Sequence, residues 1–197
     1  MTYPHNLAPT NLPILSAIAE RWSPIAFSPR TIEPEKIATV FEAARWAPSS
    51  FNEQPWRYVY ALKEDEEERT RLESLLSEGN AWAKEAGLLL ISFAKKTFAR
   101  NGKENMHFLH DLGCATGFLA LQLPSLGLIG HQMAGFDRDH ANGVLGVPDD
   151  FLPGSMMAIG YPGDPTVLPP ALQERGKAPR VRRPQSEFAF RGKWTAR

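Results

Sequence analysis

Ala47-Pro48-Ser49-Ser50-Phe51-Asn52-Glu53-Gln54-Pro55-Trp56 joins two segments of opposite periodicity. Upstream, Ile37, Val40, Phe41 and Ala44 recur at i, i+3, i+4 and i+7, the stripe of an amphipathic helix, with Pro34 placed for its first turn and Pro48 to end it. Downstream, Trp56–Leu62 is aromatic and branched, which predicts a strand. The junction sets two hydroxyls and two amides between prolines, where a plain turn needs only Gly, Asp or Ser. Asn and Gln each present a donor and an acceptor, which suits the edge of a planar ligand. A second reading, in which Ser49, Ser50 and Asn52 only cap and turn, stays open beside it.

Working outward, the spacing predicts helices over 12–21, 64–78, 106–123 and 137–145, and strands over 87–94, 127–131 and 155–161. The run 87–94 is apolar throughout, as in a strand covered on both faces. The helix 106–123 carries bulk and small residues all round and is expected to be buried on nearly every side. From residue 164 onward periodicity fades among Pro and Arg, predicting an extended tail that needs a host surface, a neighbouring subunit being one. Together these elements give a single α+β domain over 1–197, helices around a modest sheet, with residues 164–197 extended.

The 197 residues balance 22 basic against 22 acidic side chains, so no global field argues for nucleic acid or membrane. The acidic run 64–68 is expected to be a solvated helix face. Basic residues gather at 175–197: Arg175, Lys177, Arg180, Arg182, Arg183, Arg191, Lys193 and Arg197. A lone Cys114 forbids an intramolecular disulfide, is expected to be a core thiol, and suits a reducing, cytoplasmic setting. Met1–Pro13 lacks the pattern of a signal peptide, and no apolar run is long enough to span a bilayer.

Three further stretches carry chemistry. Arg21-Trp22-Ser23-Pro24 offers a guanidinium and a hydroxyl for an anion, although an Arg ending a helix is also a dipole partner. Gly130–Asp137 follows a short strand; Gly135 permits close backbone approach and Asp137 caps the next helix. Arg180-Val181-Arg182-Arg183-Pro184, if extended, puts Arg180 and Arg182 on one side as an anion clamp. His107 and His110 lie one helical turn apart, but too few partners accompany them for a metal site. No phosphate-binding glycine loop or dinucleotide fingerprint occurs.

In this order, Arg21–Pro24 with Phe27, Pro48–Trp56, Gly135-Phe136-Asp137, Gly160-Tyr161-Pro162 and Arg180–Pro184 resemble the motifs of the nitroreductase family of flavin enzymes. The resemblance implies a helix-and-sheet fold with a mostly antiparallel central sheet and a tail wrapping the partner of a homodimer. It implies FMN at two interfacial sites, hydride accepted from NADH or NADPH at flavin N5, and transfer to a nitroaromatic, quinone or similar small acceptor by a ping-pong scheme. Carried over, Arg21, Trp22, Ser23, Arg180 and Arg182 serve the phosphate or ribityl side. Pro48, Ser49, Ser50, Asn52 and Gln54 contact the ring or ribityl chain from the partner subunit, and backbone at Met133, Ala134 and Gly135 nears N5. No side chain is assigned as a catalytic acid, base or nucleophile, since the cofactor carries the chemistry. Two departures stand out. Ile25 replaces a second cation common after the motif serine, and Ala134 replaces a glutamate found in some relatives. The segment 95–105, bordering the substrate opening, is short and polar. A non-catalytic flavin carrier or sensor, or an interaction domain whose tail holds a partner, are the competing readings.

Overall fold

The computed structural model describes residues 6–195, so Met1–His5, the start of the Met1–Pro13 segment, and Arg197 lie outside the description. Four strands, β1 (Trp56–Leu62), β2 (Leu88–Lys95), β3 (Ile129–Met133) and β4 (Phe151–Gly160), form one sheet in the order β1-β2-β4-β3. Every pairing is antiparallel. Six α-helices among the described residues accompany it: α1 (Ser16–Glu20), α2 (Pro34–Arg45), α3 (Glu66–Ser74), α4 (Phe108–Gln122), α5 (Arg138–Leu145) and α6 (Pro170–Lys177).

The all-apolar strand β2 lies inside the sheet and divides its side chains between two cores. Leu88 and Leu90 join Ile37, Val40, Leu112 and Leu119 on the face covered by α2 and α4. Leu89, Ile91 and Phe93 join Leu72, Trp82 and Met156 on the other. Burying each large side chain is worth about 1.5–3 kcal/mol, so a strand shared by two cores anchors the domain.

Several boundaries differ from the sequence expectation, each for a visible reason. The first helix is confined to Ser16–Glu20 because its apolar stripe finds no cover: Leu15 is 72% exposed and Ile18 42%. A short helix without a buried face has little to sustain it. The helix expected to reach residue 78 ends at Ser74 because Leu75 and Leu76 turn aside to pair with the 136–137 segment, Asp137 N–H donating to the Leu75 carbonyl. Strand β4 begins four residues earlier than expected, at Phe151. A register shift in β2 between Ile91 and Phe93 accommodates Pro153, and Ser92 Oγ accepts from Ser155 N–H.

Helix α4 is not buried all round. Asp111, Leu112, Ala115, Thr116, Leu119 and Ala120 face inward, while Leu109, Gly113 and Phe118 are exposed on the isolated chain. Cys114 is half-buried against the α2–α4 core. The tail is not wholly irregular either. It contains α6, which sequence periodicity missed because the helix buries no residue and so carries no apolar stripe. The acidic run before and into α3 is largely solvent-exposed, as expected. No helix among the described residues is long and apolar enough to cross a membrane.

Candidate functional site

Two groups of the sequence-predicted residues line separate cavities of the one chain, while Asn52, Gln54, Met133, Ala134 and Gly135 line neither. The first cavity, about 290 Å³, gathers Arg21, Trp22 and Ser23 from the end of α1 with Arg180 and Arg182 from the tail. Arg21 Nη1 donates to Ser23 Oγ at 3.3 Å, which leaves the serine proton free to face an anion. No carboxylate lines this space among the described residues, so its field is positive.

Two lining residues, Arg175 and His131, were not assigned to this site from the sequence. Arg175 of α6 supplies a further cation, and Ile25, standing where relatives carry one, is a buried wall. A helix missed in the tail concealed Arg175. His131, on β3, sits with its ring 4.7 Å from that of Trp82 and its Nδ1 3.2 Å from the Pro24 carbonyl. A carbonyl only accepts, so Nδ1 carries the proton. Burial pushes the His131 imidazole below its ordinary range, and the charges of Arg175 and Arg21 push the same way; the Pro24 carbonyl opposes them. The cavity thus holds a neutral imidazole beside guanidinium groups.

Arg180 differs from the clamp expected of it. Its guanidinium donates to the carbonyls of Asn6, Ala19 (2.8 Å) and Arg21 (2.9 Å). These bonds strap the tail across the C-terminal end of α1, so Arg180 shapes the cavity wall as well as lining it. Arg182 donates to the Val181 carbonyl and is exposed at the cavity mouth.

The second cavity, also about 290 Å³, is lined by Pro48, Ser49 and Ser50 of the amide-rich loop and by His107, His110 and Asp111 at the start of α4. Asp111 is 3% exposed and accepts from Ser50 N–H at 2.9 Å, while His110 Nδ1 lies 3.2 Å from its other oxygen. The loop backbone is unusual. Phe51, Asn52 and Gln54 take φ of 53°, 57° and 51°. Asn tolerates this left-handed region; for Phe and Gln it costs roughly 1–2 kcal/mol each. Side chains hold the loop there. Ser49 Oγ accepts from Gln54 N–H at 3.0 Å, and the Gln54 amide nitrogen donates to Asn52 Oδ1 at 3.1 Å. Glu53 Oε1 accepts from Ala99 N–H at 2.7 Å, tying the loop to the 95–105 segment. The loop is therefore fixed by its own side chains and by its bond to the 95–105 segment, and these include bonds of the kind that capping and turning make.

The third predicted stretch is engaged within the chain. The Gly135 carbonyl accepts from Asn80 Nδ2 at 2.9 Å and from Ser77 N–H at 3.3 Å. A Cβ at Gly135 would stand 2.8 Å from both Asn80 Nδ2 and Ser77 Oγ, the ends of side chains that would have to shift aside. The Met133 side chain belongs to the core, and Ala134 is exposed. Asp137 caps α5 as expected, its Oδ1 accepting from His140 N–H at 3.2 Å.

Comparison with known proteins gives this arrangement its context. The nitroreductase family model matches residues 18–106. A crystal structure of an oxidoreductase containing FMN is 36% identical, superposes with a TM-score of 0.90 and covers 100% of both chains. An uncharacterized 15.4 kDa protein in the ask 5' region of Mycolicibacterium smegmatis is 34% identical over 125 residues, 64% of this chain and 83% of its own. The NADH dehydrogenase of Thermus thermophilus is 26% identical over 159 residues, 65% of this chain and 76% of its own. With its antiparallel sheet, its motifs in order and this likeness over its full length, the chain belongs to the nitroreductase family.

Proposed function

We propose that this chain is an FMN-dependent NAD(P)H oxidoreductase that works as a homodimer. The observation that carries the reading is the division of the site. A cationic cavity suited to a phosphate and an amide-bearing loop suited to a planar ring edge share no lining residue within one chain. Two copies bring them together if each cofactor takes its phosphate from one protomer and its ring contacts from the other. The exposed apolar residues Leu15, just ahead of α1, Ile18 of α1, and Leu109 and Phe118 of α4 are the surface that such a dimer would cover.

The residues fit the cofactor. Arg21, Arg175, Arg182 and the Ser23 hydroxyl would hold the phosphate, with His131 at the cavity wall. Ser49, Ser50, Asn52 and Gln54 would orient the ring, and the hydrogen bonds of Ser49, Glu53 and Asp111 hold the loop in place before the cofactor arrives. When bound, FMN supplies two-electron chemistry: hydride in from NADH or NADPH, electrons out to a small acceptor in alternation. The chain contributes position, charge and exclusion of water, without a nucleophile. The relatives support this reading: one contains FMN and another is an NADH dehydrogenase.

Fluorescence titration of the flavin-free protein with FMN tests the binding half. One FMN per chain, on a dimer by analytical ultracentrifugation, is expected. A monomer that binds FMN with both cavities intact would remove the shared-site arrangement. No FMN affinity at all would remove the reading and favour an interaction domain.

A further inference from the structure

At the amide loop stands a cluster that lines neither cavity. Phe51 is 75% exposed, held outward by its left-handed backbone. Phe98 meets it edge-on, ring centroids 5.8 Å apart at 80°. The Arg100 guanidinium lies 4.5 Å from the Phe51 centroid and 5.4 Å from that of Phe98. Phe98 and Arg100 belong to a small hairpin closed by the Thr97–Glu104 bridge, with Phe98 N–H donating to the Lys103 carbonyl and Gly102 at φ 68° in its turn. The bond from Ala99 N–H to Glu53 docks this hairpin on the loop, so the three side chains are held as one platform.

A guanidinium lying against ring faces keeps its N–H edge outward. Arg100 forms no ion pair among the described residues, although carboxylates are plentiful elsewhere on the surface. A bulky aromatic held in an unfavourable backbone region and left in water lacks any gain from core packing. Two rings and an available cation together match a flat ring bearing a negative group: the ring stacks, and the anion meets the guanidinium edge.

We infer that Phe51, Phe98 and Arg100 form the acceptor-binding platform of this chain and select planar aromatic compounds that carry an anionic substituent, such as a carboxylate. The inference rests on the proposed flavin site for its catalytic meaning, but the platform itself is testable by binding alone.

The experiment titrates FMN-loaded dimer calorimetrically with 4-nitrobenzoate and with 4-nitrobenzamide, isosteric and neutral. Benzoate binding about tenfold tighter than benzamide is expected, with the preference abolished in Arg100→Gln. Phe51→Ala is expected to weaken both ligands by a similar factor, since it removes stacking without touching charge. Arg100 is exposed on a hairpin, so the Gln variant keeps the fold, and circular dichroism checks it. Equal affinity for the two probes, no binding of either, or a preference that survives Arg100→Gln would each overturn the inference. The same samples receive NADH and NADPH anaerobically. Preferential benzoate binding without flavin reduction would sink the oxidoreductase reading and leave the platform standing. Flavin reduction without anion preference would do the reverse.

Discussion

Replacing Asp111 by Ala is the most informative perturbation of the loop. This carboxylate is buried at the start of α4 and accepts from Ser50 N–H at 2.9 Å, one residue ahead of the first positive φ. A hydrogen bond to a charged group contributes about 1.5–3 kcal/mol. The left-handed backbone at Phe51 and Gln54 together costs roughly 2–4 kcal/mol, so the anchor and the strain it restrains are of one size. Loss of about 2 kcal/mol can appear in either of two ways. If the loop stays fixed, it lowers global stability, and in a chain of 197 residues that means a Tm about 4–8 °C lower. If the loop relaxes locally, Tm moves less and the Kd for FMN rises by up to about 30-fold. Circular dichroism melting and FMN fluorescence titration on the same protein read both. Asp111→Asn keeps an acceptor and is expected to show less than half the effect. Unchanged Tm and unchanged FMN affinity in Asp111→Ala would refute the anchoring argument.

Other outcomes follow from the cationic cavity and its walls. Arg21→Ala and Arg182→Ala are expected to weaken FMN binding by about tenfold or more each, as a charge-assisted bond goes, with little change in Tm. Arg180→Ala is expected to lower Tm as well, because its guanidinium straps the tail to the carbonyls of Ala19 and Arg21; equal stability of all three variants would contradict that division. The His131 imidazole, followed by proton NMR in flavin-free protein, is expected to titrate below 6.5 and to move upward when phosphate or FMN enters. Its folded pKa is depressed, so the stability it contributes is present above pH 6.5 and is lost as pH falls; a midpoint at or above 6.5 in the flavin-free protein would contradict the geometry. Gly163→Ala would put a Cβ 2.3 Å from the Phe27 carbonyl oxygen, where backbone cannot yield cheaply. Urea unfolding is expected to show a loss of about 1–3 kcal/mol.

Much of the fold was legible because hydrophobic periodicity reports burial. The α2 stripe and the apolar β2 run name the faces they cover, the aromatic and branched run marks β1, and their boundaries agree with the structure to within a residue or two. The failures at the two short helices share one cause. α6 buries nothing and α1 buries nothing, so the first left no stripe to find and the second had a stripe with no cover. The open face of α4 was misread because apolar residue types alone do not say which of them pack inside the chain. At the candidate site, the loop and the two arginine motifs were visible as residue types, and the structure brings Arg21, Ser23, Arg180 and Arg182 around one cavity. Arg175, His131 and Asp111 were not visible as partners. Arg175 sits on the missed helix, and the Asp111 bond to Ser50 spans 61 residues. Nor does local sequence announce three consecutive-region positive φ values when Phe and Gln, rather than Gly, adopt two of them.

The central claim is that two copies of this chain assemble an FMN site that nicotinamide reduces. The direct measurement is the visible spectrum of FMN-loaded dimer, taken anaerobically while NADH or NADPH is added. Loss of the oxidised flavin absorbance, regained when an acceptor such as a quinone follows, is the predicted result. A bound flavin whose spectrum neither nucleotide changes would contradict the claim and leave a flavin carrier in its place.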